Sequence, residues 1–138
     1  MGAELRRAAP SARPLRPEER AVLTALLNHA DFDGRDALLA QIELARVVGY
    51  CGCGCASVDL AVEDSAPQTG VAYPIPNQAT ILTADGEAVG GLLVFIRDGC
   101  LSMLEVYNYC GEPISPLPPT ERLQLFSANP GSAGWIDL

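Results

Sequence analysis

Cys51-Gly52-Cys53-Gly54-Cys55 is the stretch of this chain whose residue types and spacing most plainly carry chemistry. Thiolates are soft ligands, suited to zinc, copper(I) or an iron–sulfur cluster. Zinc–sulfur bonds of about 2.3 Å place the sulfurs of a tetrahedral site roughly 3.8 Å apart. Alternate residues of a flat strand point the same way but stand about 6.7 Å apart, so the segment must curl to gather its sulfurs. Gly52 and Gly54 permit the curl by accepting positive φ. A metal reading takes Cys51, Cys53 and Cys55 as three ligands of a zinc site, with Cys110 as the fourth. Cys100 and His29 are the alternatives for that last position.

Two other uses of the same residues compete. The glycines can turn the chain while the cysteines serve as small apolar residues, a common role of reduced cysteine. A redox or thiol-catalytic use needs a thiolate stabilised by a cation or a helix N-terminus, and neither is adjacent in sequence. A Cys51–Cys53 disulfide would close a small, strained ring. The stretch also contains Gly49-x-x-Gly52-x-Gly54, a loose match to a nucleotide-binding loop. Ser57–Val62 favours a strand where that loop requires a helix N-terminus, so a phosphate site of this type is rejected.

The remaining candidates are weaker. His29, the sole histidine, can be imagined as a base for Cys53 or Cys55, oriented by Asp31 or Asp33. A histidine at a helix end is more often a capping or surface residue, and no geometry in the sequence supports the pair. Asp59, Glu63 and Asp64 follow the cysteine turn and read as the solvated side of a strand. Glu105, between Leu104 and Val106, reads as an outward residue. Tyr73, Tyr107 and Tyr109 offer either a small aromatic surface for a partner or ordinary packing. No catalytic set emerges.

Composition bounds the partners. With 138 residues and 49% apolar content, the chain can build a core without metals or disulfides. All nine basic residues are arginine, and five of them fall in the first twenty residues. From residue 21 onward four arginines face fourteen carboxylates. So acidic a body repels phosphate backbones, which excludes nucleic acid and suits a basic protein partner or simple solubility. No apolar run reaches membrane-spanning length, and no export signal is visible, which predicts a cytoplasmic protein with reduced thiols.

These residues need elements to position them. Residues 1–16, rich in Ala, Arg and Pro, read as a flexible tail, and 17–138 as a single domain. Pro17, Glu18 and Glu19 start a helix with Val22, Leu23, Leu26 and Leu27 on one face. Asp33 caps a second helix carrying Leu38, Leu39 and Ile42. Strands follow at 45–50, 57–62, 80–83, 88–96 and 101–109, with hairpin signals at Asp85-Gly86 and Asp98-Gly99 and a bulge near Ser102-Met103. Leu92–Ile96 reads as a central strand. Residues 64–78 and the Pro-rich 113–119 read as exposed loops, the latter in polyproline II. Residues 120–126 suit either a short helix or an edge strand, and Trp135 sits in a tail that can dock through its indole.

The expected fold is therefore α+β: two N-terminal helices packed on a mostly antiparallel five-stranded meander. Two stretches, Cys51–Leu60 and Leu93–Tyr107, resemble small uncharacterised bacterial proteins. That resemblance implies a compact α+β domain and carries over no catalytic residue. The expected function is a non-catalytic protein-interaction domain, immunity- or antitoxin-like at most, binding a protein partner; a homodimer through a free strand edge is also open. The alternatives are a zinc–thiolate protein and a small enzyme whose pocket comes from distant residues.

Overall fold

Val22, Leu23, Leu26 and Leu27 line one side of α1 (Pro17–Asn28), and all four are buried. The computed structural model describes residues 6–69, 75–109 and 111–128. In it, α1 opens at Pro17, and the Glu19 carboxylate accepts the Arg16 backbone N–H at 2.8 Å. The second helix, α2 (Arg35–Gln41), begins after Gly34 at φ 92°, not at the Asp33 cap expected from sequence. A single 3-10 turn, Ile42–Leu44, then hands the chain to the sheet. No helix among the described residues is long and apolar enough to cross a membrane.

The sheet corrects the five-stranded meander. It has seven antiparallel strands: β1 (Arg6–Pro14), β2 (Ala45–Cys51), β3 (Val58–Val62), β4 (Asn77–Leu82), β5 (Ala88–Arg97), β6 (Cys100–Asn108) and β7 (Leu123–Ser127). Their spatial order is β1-β2-β3-β6-β5-β4-β7. The helices therefore do not begin the fold; β1, drawn from residues expected to be a flexible tail, precedes them. Its prolines and lack of alternation hid it, and both are tolerated because an edge strand pairs on one side only. β7 forms the other edge, which settles 120–126 as one 3-10 turn followed by a strand. The simple up-and-down path also fails, because β3 pairs with β6 while the loop after it carries the chain across to β4.

Local hairpin chemistry held. Asp98 and Gly99, both at positive φ, join β5 to β6 as a two-residue turn of the primed kind. Phe95 pairs with Met103 and Ile96 with Leu101, so Ser102 is the extra residue of a bulge. β5 lies fifth in the order, and its residues alternate between buried and half-buried instead of being enclosed on both faces.

One face of the sheet carries the core. Val47, Leu60, Leu92, Val94, Leu104, Ala79 and Ile81 point inward and join the helix leucines in a single cluster. Two buried carboxamides hold the layers in register. The Asn77 side chain donates to the carbonyls of Leu26 (2.8 Å) and Ala30 (2.9 Å) at the end of α1. Gln41 at the end of α2 donates to the Pro67 and Gly99 carbonyls at 2.7 and 2.9 Å, while its oxygen accepts the Leu101 N–H at 2.8 Å.

Replacing a buried amide by an isosteric hydrocarbon strands the backbone groups it served, at about 1–3 kcal/mol for each one left unpaired. We expect Gln41→Leu to lower unfolding free energy by about 2–4 kcal/mol in urea titrations. The exposed control Gln124→Leu should shift it by no more than about 0.5 kcal/mol.

Candidate metal centre

The three cysteines lie on the connection between β2 and β3, whose antiparallel pairing holds both ends. Cys51 is the last residue of β2. The turn then curls in short steps: the Cys53 N–H donates to Cys51 Sγ and the Cys55 N–H to Cys53 Sγ, each at 3.4 Å. Gly54 takes φ 98°, a conformation open to glycine and costly for other residues. The curl gathers all three sulfurs within 4.8 Å of one another, and Cys51 and Cys53 stand 2.9 Å apart. A tetrahedral zinc site needs sulfurs roughly 3.8 Å apart, and the separations here bracket that spacing. The group could hold a metal ion.

Ser57 fixes the far end of the turn. Its hydroxyl donates to the Val106 carbonyl at 3.1 Å and accepts the Val106 N–H at 2.8 Å, standing in for a backbone partner of β6. Cys55 Sγ lies 3.3 Å from the same oxygen. The Ala56 N–H donates to the Ile114 carbonyl at 2.9 Å, which ties the turn to the Pro-rich segment. That segment is no free polyproline ribbon, since Leu117 is buried in the core. Sequence reasoning missed Ser57; the only signal was a hydroxyl two residues beyond the last cysteine.

The other candidates are elsewhere. Cys100 starts β6, six residues from Val106 and so about 20 Å along the strand. His29 follows α1, whose end is pinned over Asn77 of β4, three strands across the sheet from β3. Cys110, Tyr73 and Trp135 lie outside the described residues. Glu63 and Asp64 are exposed beyond the end of β3, and Asp59 is half-buried on its outer side. Glu105, read from sequence as simply outward, lines a hollow of about 280 Å³ together with Cys51, Cys53, Cys55 and Tyr107. Tyr107 and Tyr109 do meet, with ring centroids 6.2 Å apart.

The sulfurs are not equivalent. Cys51 is half-buried and Cys53 exposed. Burial, with the hydrogen bond that Cys51 donates to Cys53, pushes the Cys51 thiol up to about 11. The same hydrogen bond, with the Cys55 backbone N–H, draws the Cys53 thiol below its ordinary value. A neighbouring thiol thus takes the place of the cation or helix N-terminus that commonly favours a thiolate.

A second, larger cavity of about 720 Å³ is lined by Cys51, Cys55, Arg13, Arg16, Glu19 and Leu117. Arg13 and Glu19 form a two-pronged ion pair there, at 3.0 and 2.9 Å. Burial alone would raise the Glu19 carboxyl, but the Arg13 and Arg16 hydrogen bonds outweigh it and hold it below the ordinary value of 4.5. A depressed carboxylate contributes stability that is complete above its unfolded value and lost as pH falls through the folded one. Urea unfolding from pH 7 to 3 should therefore show the gap between wild type and Glu19→Gln closing below about pH 4.5. A gap independent of pH would contradict the ion pair. No family model matches this chain, and no curated protein or solved structure is similar to it.

Proposed function

We propose that this protein is a non-catalytic binding domain whose Cys51–Cys55 turn holds a soft metal ion, zinc foremost, through three thiolates. The observation that carries the reading is the convergence of Cys51, Cys53 and Cys55 sulfurs within 4.8 Å on one short turn. Three thiolates satisfy a d10 ion's preference for soft donors, and the exposure of Cys53 leaves a further coordination position open to solvent or a partner. The core is built from the helices and the inner sheet face, away from this turn, so the metal adds to a fold that has its own apolar interior.

Elemental analysis of untagged protein should find about one zinc per chain, falling at least tenfold in a Cys51→Ser/Cys53→Ser/Cys55→Ser variant. Adding zinc to chelator-treated protein should raise the unfolding free energy by about 2.7 kcal/mol at a hundredfold excess over Kd. Substoichiometric metal, with no thermal shift on adding zinc, overturns the proposal.

The acidic body supports a second element of the reading, a basic protein partner. Tyr109, at 55% exposure beside Tyr107, is the observation that favours this side of the molecule as the contact. Crosslinking in host lysate should capture a specific partner that is lost at high salt and in Tyr109→Ser. A capture pattern identical in that variant removes the aromatic pair from the contact.

A further inference from the structure

We propose that the open edge of β7 pairs with β7 of a second copy of this chain, antiparallel and centred on Phe126, to form a reversible homodimer. This interface lies across the sheet from the cysteine turn and does not depend on a metal.

The backbone of β7 has one side engaged and one side free. Just past the strand, the Ala128 N–H donates to the Pro76 carbonyl at 2.7 Å. In an antiparallel ladder only alternate residues bond to a given neighbour. Counting back along the pairs of Ser127 with Asn77, Phe126 with Gln78 and Leu125 with Ala79, the residues that turn their N–H and C=O groups toward β4 are Phe126 and Gln124. Leu123, Leu125 and Ser127 turn theirs away from it. The same alternation holds on the far side of β4, where the Ile75 N–H donates to the Val94 carbonyl of β5 at 3.0 Å. Of the outward groups, the Leu123 N–H is taken up by the Thr120 carbonyl of the preceding turn. The N–H and C=O groups of Leu125 and Ser127 have no backbone partner among the described residues.

The two edges of the sheet differ in what they offer. β1 carries three arginines and two prolines, and its register breaks between Ala8 and Arg13. Charges, missing N–H groups and irregular pairing are what keep an edge from recruiting another strand. β7 reads Leu-Gln-Leu-Phe-Ser, with no charge, no proline and no register break. In a chain of net charge −8, a neutral strand is a segment that two copies can bring together without setting carboxylates face to face.

The free groups also fix the centre of the pairing. With Phe126 on the two-fold axis, Leu125 lies opposite the partner's Ser127, and Ser127 opposite the partner's Leu125. Every outward N–H of Leu125 and Ser127 then meets an outward C=O of the other copy. Phe126 faces its own copy as a non-hydrogen-bonded pair, with Cα atoms about 4.5 Å apart, the spacing that brings side chains closest. Phe126 is the exposed large apolar side chain of this strand, at 37%. On the other face Leu123 and Leu125 are only partly buried where the core runs out to the edge, and an added strand extends their cover. A seam of five residues is about 17 Å long and one strand wide, and it buries less than the roughly 800 Å² per partner of a standard interface. The dimer is therefore weak and concentration-dependent.

The test uses the full chain, reduced and held in chelator so that neither a disulfide nor a metal bridges two copies. Sedimentation velocity from about 10 µM to about 1 mM should show the monomer giving way to a dimer. Hydrogen exchange read by NMR should find the Gln124 and Phe126 amides protected at every concentration, and those of Leu125 and Ser127 protected only at the upper end. Phe126→Lys and Phe126→Glu alter an exposed side chain and should each weaken self-association at least about tenfold, since each sets like charges across the axis. An equimolar mixture of the two should restore it. Added salt should strengthen the wild-type dimer, because both copies are acidic, whereas it weakens a contact with a basic protein. Each of the following overturns the proposal: a monomer throughout, a dimer whose Leu125 and Ser127 amides still exchange freely, or a mixture no better than either variant alone. Protection of those two amides at every concentration also overturns it, by assigning the edge to another segment of the same chain. None of these results bears on the zinc stoichiometry, so the two readings fail separately.

Discussion

The helix layer and the sheet meet through buried carboxamides whose donors and acceptors have no water to fall back on. Apolar packing between α1, α2 and the inner strand residues supplies most of the attraction, but it is indifferent to register. Asn77 and Gln41 are not. Each reads backbone carbonyls at the end of one helix or the start of one strand, and Gln41 alone links α2, the loop at Pro67 and the β5–β6 turn. With those contacts set, α1 is fixed against β4 and α2 against the start of β6.

Local chemistry was legible in the sequence and long-range order was not. Pro17 with its acidic followers marked α1, and Asp98-Gly99 marked a tight turn, because each rests on preferences that act within a few residues. The position of β1 depends on an edge that only the assembled sheet provides, so Arg6–Pro14 looked like a tail. The jump from β3 to β6 has no local signature either. It follows from which strands can cover the helices, a property of the whole core. The second helix began one residue later than its apparent cap because Gly34 could take a left-handed conformation that Asp33 would adopt at a cost.

The thiol group shows the same division. Its need to curl was a deduction from bond lengths, and the turn does curl, with Gly54 in the left-handed region. Its supports were invisible in advance, since Ser57 is an ordinary hydroxyl until it is found bridging both backbone groups of Val106. The inequivalence of the sulfurs was equally hidden. It arises from one thiol donating to another and from a modest difference in burial, and neither is encoded in a spacing of alternate cysteines.

Among the described residues the pairing of β1 with β2 reaches Arg6 opposite Cys51, so the first cysteine of the turn is held within the outermost ladder. Peeling that ribbon away would turn β2 into a border strand and loosen the anchor on one flank of the bend, while the Ser57 rivet on the other flank stayed put.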